Sequence, residues 1–143
     1  MNIQLLYNTV SDLNKQISTI LKQSGFDTHN DLYDLDCGSD PESLMLREEL
    51  TDVLDRLDVV NSILNYLGKN IAGEYTLHKN KNDRYSCDLH EYTCGNRIEF
   101  YYYDDDIEKS RWNISTVEHN GSDYYIVGYR DISLNGLKVR IRV

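Results

Sequence analysis

Apolar residues in the first half of the chain recur every three or four positions, and after Gly68 they recur every second position. Ile3, Leu6, Val10, Leu13, Ile17 and Ile20 step by 3, 4, 3, 4, 3. Leu46, Leu50, Val53, Leu57, Val60, Leu64 and Leu67 step by 4, 3, 4, 3, 4, 3. Both runs are heptad seams with mostly polar residues between them, which predicts two amphipathic helices. Neither is long enough for an extended rod, so the economical arrangement is an antiparallel hairpin packed along the two seams. Gly25 is a stop for the first helix. Asp40-Pro41-Glu42 opens the second, with a capping aspartate, a proline suited to the first helical position and an acid at the positive helix end. Gly68 ends it. Leu32, Tyr33 and Leu35, in the connection from Phe26 to Ser39, are placed to pack a short extra turn on the pair.

The period of two predicts strands at 74–79, 84–88, 97–103, 111–119, 123–129 and 137–143. Asn82-Asp83, Asn120-Gly121 and Asn135-Gly136 mark turns between them. In the last run Leu137, Val139, Ile141 and Val143 point one way, and Lys138, Arg140 and Arg142 the other. Five or six short antiparallel strands must curl to bury one face. The expected fold is therefore α+β: a helical hairpin over residues 1–70, then a small antiparallel β-barrel or bent sheet, SH3-like or OB-like, over residues 71–143.

Charge changes the picture more than composition does. Between Asp27 and Asp58 stand eleven acidic residues and two arginines, a local net of −9 that equals the net charge of all 143 residues. Such a field repels nucleic acid and attracts basic surfaces. On the second helix Glu48, Asp52 and Asp55 fall opposite the seam, with Glu49 and Asp58 flanking them. Steps of three and four residues rise about 4.5 and 6 Å along a helix, a spacing within reach of successive phosphates. Asp104, Asp105 and Asp106 form a second acidic patch, read as a hairpin tip after Tyr101–Tyr103. The β half holds twelve acids and ten bases, a poor electrostatic footprint for nucleic acid. Its tyrosines, nine of the twelve in the chain, suit strand packing first and a protein contact second.

Candidate chemistry is sparse. Cys87, His90 and Cys94 make a C-x2-H-x3-C cluster, but a structural zinc needs a fourth ligand and no second C-x2-C pair exists. The three cysteines read as reduced thiols, with Cys87 a strand residue, and no metal is expected. There is no phosphate-binding glycine loop, no G-x-S-x-G and no H-E-x-x-H. The chain is expected to be neither an enzyme nor a cofactor carrier. No run of apolar residues is long enough to span a membrane, and the first ten residues do not read as a signal peptide, so a cytoplasmic protein is expected.

The run Trp112-Asn113-Ile114, Glu118-His119-Asn120-Gly121, Asp123-Tyr124-Tyr125-Ile126-Val127-Gly128 and Leu137-Lys138-Val139-Arg140-Ile141 resembles a small β domain of unknown function from phages, plasmids and conjugative elements of Gram-positive bacteria. The resemblance covers roughly residues 73–143. It implies a mobile-element context and transfers no catalytic residue. In size, charge and lack of catalytic motifs the whole chain is similar to anti-CRISPR proteins. The resulting expectation is an inhibitor that mimics DNA and occupies a basic surface of a nucleic-acid-handling protein, an RNA-guided nuclease above all. Its contacts would be Glu48, Glu49, Asp52, Asp55 and Asp58, with Asp104–Asp106 second. The alternative is a module that touches nucleic acid through Lys138, Arg140, Arg142 and neighbouring tyrosines. A homodimer joined through the heptad seams is a further option.

Overall fold

A computed structural model describes residues 1–26 and 32–143. Asp27, His29 and Asp31 of the acidic connection lie outside the described residues. The chain forms two compact units, Met1–Lys69 and Asn70–Val143.

The first unit holds α1 (Ile3–Asp12), α2 (Asn14–Ser24) and α3 (Pro41–Leu67). The first heptad run is thus a bent pair of helices that meet at Leu13. Asn2 caps α1 by accepting a hydrogen bond from the Leu5 amide at 2.8 Å. Gly25 ends α2 in the left-handed conformation at φ 65°, which glycine adopts without steric cost. Asp40 caps α3 by accepting from the Ser43 amide at 3.0 Å and the Ser43 hydroxyl at 2.7 Å, and Pro41 occupies the first turn. The Ser43 bonds, chiefly that from the hydroxyl, hold the Asp40 carboxyl below its ordinary pKa.

The helices pack along the predicted seams only in part, with Ile17 of the first and Leu57 and Leu64 of the second turned inward. Side-chain bonds Asn14–Asn65 (2.6 Å) and Ser18–Asn61 (2.7 Å) set α2 antiparallel to α3. The buried cluster is Ile17, Leu21, Leu32 and Leu54, with Phe26 and Leu57 against it. Ile20 of the first seam is exposed and Leu21 takes its place inside. On α3 the line facing inward runs through Thr51, Leu54, Asp58 and Asn61 to Leu64, while Leu46, Leu50, Val53 and Val60 of the seam are 47%, 46%, 46% and 37% exposed. A straight helix has 3.6 residues per turn, so a strict 3.5-residue seam rotates around it and one face cannot hold the whole row. The part-buried Ser18–Asn61 bond and the exposed Asn14–Asn65 bond then favour the neighbouring face. Leu32 does pack on the pair at 3% exposure, but Tyr33 and Leu35 stay outside.

The second unit has eight strands: β1 (Ile71–Thr76), β2 (His78–Lys79), β3 (Tyr85–Cys87), β4 (His90–Tyr92), β5 (Arg97–Asp104), β6 (Lys109–His119), β7 (Tyr124–Ile126) and β8 (Lys138–Arg142). They make an antiparallel five-stranded sheet, order β1-β8-β5-β6-β7, and a three-stranded sheet, order β2-β3-β4. The α+β class holds, but the sheets do not close into a barrel, and the strand number exceeds the predicted five or six. The predicted strand 74–79 breaks at Leu77, which is fully buried. Its amide donates to the Leu137 carbonyl (2.9 Å) and its own carbonyl accepts from the Gly136 amide (2.8 Å). That bend starts a second sheet instead of extending the first. The predicted strand 123–129 stops at Ile126, where Gly128 turns the chain at φ 81°. One apolar cluster joins both sheets: Leu77, Tyr85 and Tyr92 pack with Ile98, Phe100, Val117, Ile126 and Val139.

Within this core the Tyr85 hydroxyl donates to Asp123 Oδ2 at 2.9 Å. Burial, then the Asp123 carboxylate, pushes Tyr85 up to about 12 from 10.0. Burial pushes Asp123 up, but the Tyr85 hydroxyl, the Tyr124 amide and Lys79 outweigh it, and the net shift is downward. A raised tyrosine favours the folded state below the unfolded pKa, and that contribution disappears as pH climbs through the folded value. The second unit is therefore expected to lose stability between about pH 10 and 12. Denaturant unfolding across that range should show a shallower loss for Tyr85→Phe. An equal loss in both proteins would refute the assignment.

Candidate functional site

α3 presents three faces. At about 100° per residue, Leu54, Asp58 and Asn61 turn toward α2, Val53 and Val60 lie about 80–160° round the helix from them, and Leu46 and Leu50 fall between. Glu48, Asp52 and Asp55 share a third stripe about 60° wide and span roughly 10 Å along the axis. All three are exposed. Asp52 accepts from Arg56 Nε at 3.1 Å. Both partners are solvated, and such an i,i+4 pair contributes only about 0.3–0.5 kcal/mol, so the stripe keeps its negative potential. The other arginine of α3, Arg47, turns aside to lie over the Tyr33 ring at 5.2 Å. The flanking acids diverge. Glu49 is exposed beside the apolar seam, about 100° from Glu48, whereas Asp58 is half-buried on the side facing α2.

The second acidic patch sits where β5 turns into β6. Asp104 ends β5, and Asp105 and Asp106 lie in the four-residue connection. Asp104 accepts from Arg111 Nε at 2.6 Å and from the Asp106 amide at 3.0 Å. The Arg111 bond holds the Asp104 carboxyl below its ordinary pKa. One acid of this patch is therefore matched by a cation, and Asp105 and Asp106 are exposed.

The five-stranded sheet carries a polar constellation on the face opposite its core. Glu99 follows Ile98 and precedes Phe100, so strand alternation turns it away from both. Its side chain is 1% exposed. Arg140 Nε donates to Glu99 Oε1 at 2.6 Å, Arg142 Nε to Oε2 at 2.8 Å, and Arg142 Nη2 to Oε1 at 3.1 Å. Arg140 also stacks over Trp112 at 4.5 Å. Lys138 pairs with Glu74 at 3.1 Å and lies 5.2 Å from the Tyr101 ring centroid. The alternation Lys138, Arg140, Arg142 is visible in the sequence, but its acceptor is not. Glu99 comes from a strand some 40 residues earlier, and only the β5–β8 pairing (Phe100 opposite Val139) brings it there.

Cys87 and His90 face each other across the β3–β4 pair, and Cys94 is exposed beyond it. Among the described residues no group of three His, Cys, Asp or Glu side chains is placed to hold a metal ion. Among them, too, no helix is long and apolar enough to cross a membrane.

Residues 75–141 match DUF5348, a domain of unknown function. The matched segment contains Glu99, Arg140, Lys138 and Asp104–Asp106, while Arg142, Glu74 and the carboxylates of α3 lie outside it. It covers the C-terminal half that carries the resemblance noted from Trp112 onward. Neither a phage source nor an inhibitory role comes with the match. No curated protein and no solved structure matches the chain.

Proposed function

We propose that this chain is a non-enzymatic inhibitor from a phage or other mobile element. It acts in the bacterial cytoplasm by binding the basic surface of a nucleic-acid-handling defence protein, with an RNA-guided nuclease as the first candidate. The observation that carries this reading is the exposed stripe of Glu48, Asp52 and Asp55 on α3, in which Asp52 alone meets an arginine of that helix, through the solvated pair with Arg56. A helix of 27 residues holds these carboxylates at regular spacing, so they are preorganised where a basic channel holds phosphates. Asp105 and Asp106 add a second negative point. Direct contact with nucleic acid through Lys138, Arg140 and Arg142 is the less favoured reading, because these cations already contact Glu74, Glu99 and Trp112.

The test is displacement of fluorescent target DNA from a guide-loaded nuclease. The full chain is expected to displace it. The triple variant Glu48→Lys/Asp52→Lys/Asp55→Lys is expected to need at least about a hundredfold more protein, with a flatter dependence on salt. A wild-type chain that leaves DNA binding untouched removes the nuclease as partner. A triple variant as potent as wild type removes the acidic stripe.

A further inference from the structure

Among the described residues, Leu46, Leu50 and Val53 in the first half of the α3 seam are left exposed. The Asn14–Asn65 and Ser18–Asn61 bonds fix the antiparallel register of α2, and carrying it on puts Gly25, the end of α2, beside Leu54. The stretch Pro41–Val53 therefore projects past α2. On its open side lie Leu46 and Leu50, and Val53 and Val60 continue the row. A contiguous exposed apolar row of this kind marks an interaction surface.

We propose that a second copy of this chain covers that row, with two α3 helices packed antiparallel about a two-fold axis that passes between Thr51 and Asp52. Three features select this occupant. The seam keeps an unbroken 4, 3, 4, 3 spacing, the pattern that packs knobs into holes against another helix. The axis overlays the two projecting halves, so that Leu50 of one copy meets Val53 of the other, and Leu46 reaches Leu57, which is half-buried against its own copy's core. The flanking charges are self-complementary: Glu49 and Arg56 both border the seam, and the same axis sets Glu49 of each copy beside Arg56 of the other. An isologous interface of this type satisfies both pairs at once. A parallel arrangement sets Glu49 beside Leu54 instead. The stripe of Glu48, Asp52 and Asp55 stays on the outside of the pair, so the dimer does not depend on the inhibitory reading.

Light scattering of the full chain at up to about 100 µM is expected to give twice 16.7 kDa. Leu50→Glu with Val53→Glu is expected to return 16.7 kDa with helical circular dichroism retained, because both side chains are exposed in the single copy. Glu49→Arg and Arg56→Glu are each expected to weaken association at least about tenfold, and the two together to restore it. A mass of 16.7 kDa at every concentration overturns the proposal, and so does a double exchange that fails to restore association.

Discussion

Glu99→Gln is expected to lower the unfolding free energy of the second unit by about 3–5 kcal/mol, the cost of breaking a buried ion pair by removing one charge. Glu99 is 1% exposed and receives three hydrogen bonds from two guanidinium groups, whose side chains are only 19% and 11% exposed. Removing its charge leaves two half-buried cations side by side, repelling each other with little water to screen them. Glutamine keeps the volume and still accepts a hydrogen bond, so the loss reports charge and not a cavity. A triple replacement, Glu99→Leu with Arg140→Met and Arg142→Leu, is expected to cost less than Glu99→Gln alone, because it removes every desolvated charge together. Trp112, the single tryptophan, lies 4.5 Å beneath Arg140 and provides the fluorescence signal for denaturant unfolding. A loss under about 1 kcal/mol for Glu99→Gln would mean that water reaches the two guanidinium groups and that the site is solvated.

Leu54→Ala is expected to cost the helical unit about 2–5 kcal/mol, and Val53→Ala less than about 0.5 kcal/mol. Leu54 is 6% exposed within a cluster of four buried side chains, so its truncation empties a large share of a small core. Val53, its neighbour in sequence, is 46% exposed, and alanine is the better helix former. The comparison belongs at a concentration where the chain is a single copy, read by helical circular dichroism during denaturant unfolding. The heptad pattern assigns the opposite order, Val53 inside and Leu54 outside. A larger loss for Val53→Ala would therefore restore the seam-to-seam packing and remove the open face on which the proposed dimer rests.

These two positions show where the sequence could and could not be read. The helices at the two ends of the acidic connection were legible because their signals are local: Asp40-Pro41 and Gly68 bound α3, and Gly25 stops α2. Which face of α3 turns inward was not, because adjacent faces differ little in apolarity and the choice rests on two side-chain hydrogen bonds between residues some 40–50 positions apart. In the β unit the turns at Asn82-Asp83, Asn120-Gly121 and Asn135-Gly136 were visible, and Asp83, Gly121 and Gly136 all adopt positive φ. The break at Leu77 was hidden, since a buried leucine inside an alternating run looks like any other strand residue. β4 (His90–Tyr92) was hidden too, being three residues with no apolar alternation. The acidic stripe was readable from helical spacing alone, while the fate of Arg140 and Arg142 depended on a strand partner that spacing does not reveal.

The sequence by itself determined the class, the two-part organisation of helical and extended segments, and the side of α3 on which Glu48, Asp52 and Asp55 stand, since each follows from short-range periodicity and capping. Only the tertiary structure decided that Leu46, Leu50, Val53 and Val60 of the seam stay exposed, that the strands form two open sheets and that Glu99 is clamped by two arginines. Those outcomes depend on contacts between residues far apart in the chain, and the energies that select them are small differences between faces and pairings that local pattern leaves nearly equal.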